Sequence, residues 1–261
     1  MTTLRVALVH LRVGIMTDLQ YRVNFALQLL QSLLQLGVGL VVLALVYSHT
    51  TELNGWSKSE LLAVLGVQIL VGGFIRALVQ PNMMRFTREV QDGKLDHALT
   101  KPVDAQMLVS VRQVEIWQAV DVLTGAAVVA VALVQLEGDL GVLDILGFAV
   151  ALVFGAVLLY CFWMLLATLA FWVVNLWHLP ELFEGVFQTG RWPVGIYPMW
   201  LRFGVTFLVP IAFAVTVPAQ AVTSRLEWQT LALAAGLTVL FFGVTRWFWR
   251  FGLRSYSGAS A

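Results

Sequence analysis

Residues 57–79 read SKSELLAVLGVQILVGGFIRALV, and this stretch decides the class of fold. From Leu61 to Val79 the run carries one charge, Arg76. A helix of about 20 apolar residues crosses the ~30 Å hydrocarbon layer, because it satisfies its own backbone hydrogen bonds where no water can. Ser57 and Glu60 have capping-box spacing, each able to satisfy the other's exposed amide, so the helix is expected to start there. Working outward, similar runs recur, and the predicted spans are 23–47, 61–79, 108–136, 145–174, 198–217 and 229–249. The chain has 261 residues, 59% hydrophobic and 12% charged, with mean hydropathy +0.83, well beyond what a water-soluble core requires. The expectation is an all-α polytopic membrane protein with six transmembrane helices in one domain, 1–261. The fourth run is long enough that it must tilt or continue out of the bilayer.

Before the first run, Leu4, Leu8, Leu11, Ile15 and Leu19 recur at helical spacing, with Arg5, Arg12 and Asp18 off that stripe. Residues 1–22 are predicted to be an amphipathic helix lying in the membrane interface, or else packed on a partner's cytoplasmic surface. No small-residue cleavage site follows the first run, so the N-terminus is expected to be retained. One cysteine, Cys161, excludes a disulfide within one chain.

Six spans put both termini on one side. Fourteen basic residues fall on that side: Arg5, Arg12, Arg22, Arg76, Arg85, Arg88, Lys94, Lys101, Arg112, Arg191, Arg202, Arg246, Arg250 and Arg254. Only Lys58 and Arg225 fall on the other. By the positive-inside rule both termini are cytoplasmic, in the plasma (inner) membrane. A formal net charge of +1 gives no reason to expect a nucleic-acid partner.

The predicted connection between spans two and three, residues 80–107, is far longer than a simple helix–helix turn. Phe86, Val90, Leu95 and Leu99 interrupt its charges at near-helical spacing, Gly93 permits a bend, and Pro102 supplies a stop. It reads either as a solvated amphipathic helix or as a docking element. Gly93, Lys94, Leu95, Asp96, Leu99, Lys101, Pro102 and Val103 resemble the G-x-L-D-x-x-L-x-x-P segment that follows the second span in permease subunits of type-2 ABC exporters. Residues 191–202, RWPVGIYPMWLR, with VPIAF at 209–213 and VPA at 217–219, are similar to the fifth-span region of one six-span branch of that family.

The resemblance implies a permease that pairs with a second permease subunit, identical or paralogous, and with a cytoplasmic ABC ATPase dimer that binds ATP and Mg. It further implies that Arg88 to Lys101 is a coupling helix seated on that ATPase. The mixed charges of Arg85, Arg88, Glu89, Asp92, Lys94 and Asp96 suit a polar interface that must form and shift.

The chain is not expected to hydrolyse ATP itself, because its one Gly-Lys pair, Gly93–Lys94, lacks the phosphate-loop spacing. Neither a cofactor nor a metal is expected on it: His178 and Glu181 are two residues with Pro180 between them. Ionisable groups inside spans are few. Asp121 is expected to pair with Arg76 or Arg112, with Glu115 nearby, or else to line the substrate path. Pro210 removes a donor in mid-span and frees the Thr206 carbonyl, giving a gating kink or a static one, and Pro218 is expected to end that span. A non-transporting membrane scaffold or an ion-coupled carrier is the alternative reading.

Overall fold

The structure, a computed structural model, describes residues 22–136, 141–173 and 176–256. The expected amphipathic helix at 1–22 falls almost wholly outside them. In chain order the helices are α1 (Arg22–Tyr47), α2 (Lys58–Gln91), α3 (Asp96–Leu99), α4 (Ala105–Val109), α5 (Ile116–Gln135), α6 (Val142–Phe171), α7 (Leu179–Phe187), α8 (Met199–Leu208), α9 (Ala212–Val222) and α10 (Trp228–Leu253). Five of them are long and apolar enough to cross a membrane: α1, α2, α5, α6 and α10. No strand is present among the described residues.

The core is α2, buried on nearly every face because all other layers wrap it. Its start is the expected capping box, with the Ser57 N–H donating to Glu60 (2.7 Å) and the Glu60 N–H to the Ser57 hydroxyl (3.4 Å). Small residues set the α2–α5 distance. A Cβ on Gly125 would lie 2.3 Å from the Leu70 nitrogen, and one on Gly73 would lie 2.8 Å from the Asp121 Cβ, so the backbones touch as they do where small residues pack membrane helices. α1 adheres by a narrow stripe, Gln28, Ser32, Gly39 and Leu43, and leaves most of its leucines exposed.

Span two does not stop at Val79. The helix continues to Gln91 through a π turn at Ile75–Val79, so the first twelve residues of the expected connection are helical. Pro81 is accommodated because it sits in the first turn after the π segment. Its missing N–H leaves the Ala77 carbonyl without a helical donor, and the Glu115 N–H supplies one at 2.9 Å. Span three accordingly starts at Ile116, not Leu108. Between α4 and α5 the Arg112, Gln113 and Glu115 amides are bonded sideways to α2 instead of along a helix.

The fifth crossing also differs from expectation. Glu184 pairs with Arg76 at 3.2 Å, a Cβ on Gly72 would meet Phe187, one on Gly190 would approach Gln68, and one on Gly195 would meet Asn54. Residues 184–195 therefore run along α2 from the Arg76 level to the loop before Ser57. This segment is assembled from α7 and short 3₁₀ turns, and no long apolar run marks it.

Span 198–217 is instead re-entrant. It starts beside Asn54 and returns to the same end, where Arg225 pairs with Glu60 (2.7 Å) and stacks on Trp56 (5.2 Å). Its innermost residues, Ile211 and Phe213, meet Gly190 and Gly155. α8 and α9 join at a 78° bend. Pro210 causes it: with no N–H for the Thr206 carbonyl, and with steric rejection of helical backbone at the preceding residue, it leaves Val209 extended (φ −115°, ψ 95°). Pro218 does not end the segment but sits just after the π turn at Ala212–Thr216 within α9, which runs on to Val222.

The six crossings leave Arg22, the α2–α5 connection and Tyr256 at one end of the bundle. Of the fourteen basic residues assigned to that end, Arg5 and Arg12 lie outside the described residues, and Arg191 and Arg202 belong toward the other end. Ten against four remain.

Candidate functional site

The deepest polar cluster gathers four elements. The π turn at Ile75–Val79 carries Arg76 toward α5, where its Nη2 donates to Asp121 Oδ2 at 2.9 Å. Its Nη1 donates to Glu184 at 3.2 Å and its Nε to Gln118 at 3.4 Å. Gln28 of α1 donates to the same Asp121 oxygen at 2.9 Å. Asp121 is 1% exposed, and its Oδ1 has no hydrogen-bond partner among the described residues. Arg76 lies nineteen residues past Ser57, about 28 Å along the helix, so the cluster sits near the edge of the hydrocarbon layer. Of the two partners expected for Asp121, the structure selects Arg76. Arg112 pairs with Glu89 instead (2.8 Å), and Arg85 shares that carboxylate (2.9 Å).

A polar basin of about 490 Å³ opens beside the cluster, lined by Arg76, Arg85, Arg88, Glu115 and Gln118 among others. The Arg88 guanidinium caps it by stacking on Trp177 at 5.5 Å. Charged side chains at this depth are costly unless paired or facing a wet cavity, and here both conditions are met.

Asn82 holds the entry to α5. Its Oδ1 accepts from the Arg112 and Gln113 amides (both 2.8 Å), and its Nδ2 donates to the Leu78 and Gln113 carbonyls (both 2.6 Å). One amide group, 1% exposed, thus satisfies a stretch of irregular backbone that the membrane could not.

Beyond Gln91 the connection is not the single helix expected over Arg88–Lys101. α2 ends at Gln91, Gly93 turns the chain at φ +67°, and α3 contributes only Asp96–Leu99. Gly93 is needed there because a side chain is strained at that φ. Leu95 and Ala98 point inward and are fully buried, while Asp92, Lys94, His97, Leu99, Lys101 and Pro102 remain exposed. Tyr256, just after α10, packs edge-on against Phe171 (6.0 Å) beneath this turn. Burial, and then the Asp96 charge, push its phenol pKa up. Asp104 caps α4 through the Met107 N–H (3.0 Å) and takes a bidentate pair from Arg246 of α10. The exposed turn is therefore continuous with α2, and the adjoining α4 is fastened to α10.

Residues 33–260 match the ABC-2 family transporter protein family. The chain belongs to the ABC-2 transporter family. No curated protein matches it. The ABC-2 chain is thus a multi-pass permease, and the resemblance read from Gly93 to Pro102 is borne out at the level of the family.

Within this permease, Arg76 and Asp121 come together, and Glu115 lines the same basin. Thr206, Pro210 and Pro218 lie in the re-entrant segment, away from that cluster. Among the described residues no three His, Cys, Asp or Glu side chains converge as a metal site. Gln28, Asn82, Asp104 and Glu184 were not singled out in the sequence. The signal available for Gln28 and Asn82 was their polarity next to apolar runs. Glu184 lay three residues beyond Glu181, which was weighed only as a metal ligand.

Proposed function

We propose that the chain is the transmembrane subunit of an ATP-driven exporter, forming its translocation path with a second permease subunit and docking separate ATPase subunits through residues 88–102. In this reading the Asp92 end of the bundle and both termini are cytoplasmic. The supporting observation is the form of the exposed turn. Its inner face is fixed by Leu95 and Ala98, and its outer face presents the Asp92–Lys94 pair (2.9 Å) around exposed Leu99. A motor's stroke reaches the membrane only through a rigid element joined to spanning helices, and this turn continues α2 directly and is tied to α10 through the adjoining α4.

The test is co-purification of the complex with Asp92→Lys and Leu99→Asp combined. Neither side chain is buried, so insertion should be normal while the ATPase is lost, since like charges juxtaposed at a polar interface cost several kcal/mol. Normal ATPase recovery and normal ATP-dependent transport would refute docking at this turn.

A further inference from the structure

A groove of about 670 Å³ lies between α2, α4, α6 and α10, on a different side of α2 from the Arg76 basin. Its inner part is apolar: Phe74, Ala156, Val157 and Phe242. Phe242 is 53% exposed and Phe74 36%, so the groove opens outward from the bundle. Its other end is polar, with Arg246 and Asp104 paired there and Ser110 and Tyr160 hydrogen-bonded at 2.8 Å.

The two parts are graded in depth. Phe242 is about 21 Å and Arg246 about 27 Å from the start of α10 at Trp228, so the apolar part falls within a ~30 Å hydrocarbon layer and the charged part at its boundary. An apolar cleft ending in charge at that boundary matches the division of a phospholipid into chain and headgroup.

We propose that this groove binds a phospholipid whose headgroup carries both a phosphate and a primary ammonium. The charged end selects that headgroup. Arg246 spends three of its five N–H donors on Asp104 and Gln106 and retains two for a phosphate. The Asp104 and Arg246 side chains are 37% and 31% exposed, so both charges remain accessible to a ligand. A headgroup with a phosphate alone would bring a second anion against Asp104. A quaternary ammonium could not donate a hydrogen bond to it. A primary ammonium beside a phosphate matches both members of the pair. The ligand would bridge α4 and α10, and so would brace the same turn that carries the proposed coupling surface. The binding itself is independent of that reading and is measured without any ATPase.

The experiment is native mass spectrometry of the delipidated protein in detergent, titrated separately with phosphatidylethanolamine, phosphatidylcholine and phosphatidylglycerol. The expected result is that phosphatidylethanolamine is retained about tenfold more strongly than the other two, the factor for one hydrogen bond to a charged group. Asp104→Asn preserves the helix cap and should abolish the preference over phosphatidylglycerol. Ala156→Phe fills the apolar part without touching the charged pair and should lower retention of all three lipids. It also serves as the test if Asp104→Asn fails to fold. Equal retention of the three lipids by the unmodified protein would overturn the proposal. Retention unaffected by Ala156→Phe, or dimers lost in that variant with no change in lipid, would equally overturn it, the latter assigning the groove to a second copy.

Discussion

Removing the Asp121 carboxylate should be among the most destabilising single changes in the bundle. Asp121 accepts from Arg76 and from Gln28, each at 2.9 Å, with 1% exposure. At that distance and an effective dielectric of ~20 the direct attraction is roughly 6 kcal/mol. Desolvation of the two ions opposes it by several kcal/mol, so the pair contributes far less than its attraction. Asp121→Ala, however, forfeits the attraction while Arg76 stays desolvated, which costs about 3–5 kcal/mol for a buried pair. Arg76 keeps Glu184 at 3.2 Å and is 19% exposed, so the lower figure, about 3 kcal/mol, applies. For a chain of this size, that corresponds to a melting temperature lower by ~6–12 °C. The assay is thermal unfolding of the detergent-solubilised protein, followed by tryptophan fluorescence, in a double-mutant cycle with Arg76→Met. A loss under about 1 kcal/mol, with no coupling between the two sites, would refute the view that this pair is a desolvated lock.

Four further outcomes are expected. Asn82→Ala leaves three backbone groups at the α5 entry and the Leu78 carbonyl without this partner and should cost about 3 kcal/mol or more, read as a thermal shift. Gly125→Ala places a Cβ 2.3 Å from backbone that cannot turn aside, so α2 and α5 must separate; the melting temperature should fall by the equivalent of about 3 kcal/mol. Met199→Cys, at a position 79% exposed, should react from outside cells with an impermeant thiol reagent, whereas span five as read from hydropathy would place it inside. The Arg246 hydrogen bond holds the Asp104 carboxyl below the usual carboxylate range. Its stabilisation is therefore present above the unfolded pKa of about 3.9 and is lost as pH falls through the lower folded value. Thermal stability should drop below about pH 4, and less steeply in Asp104→Asn, which has no carboxyl to protonate.

The sequence by itself determined the all-α membrane class, the start of α2 at Ser57 and the apolar runs of α1, α6 and α10. These rest on local physics: an apolar run must become a helix in lipid, and a capping box satisfies amides within four residues. It also displayed the turn at Gly93, because only glycine tolerates that backbone without strain.

Only the tertiary structure decided which apolar runs cross. Residues 184–195 traverse the bundle despite carrying Glu184 and Arg191, because Arg76 meets the Glu184 charge. Residues 198–217 are more apolar and yet turn back, because Pro210 breaks them at a depth where Gly190 and Gly155 leave room for the bend. Likewise α2 continues through Pro81 and Asn82, at the start of the expected connection. The groups they leave over or supply are matched by backbone thirty residues away, and no local pattern records a partner at that separation.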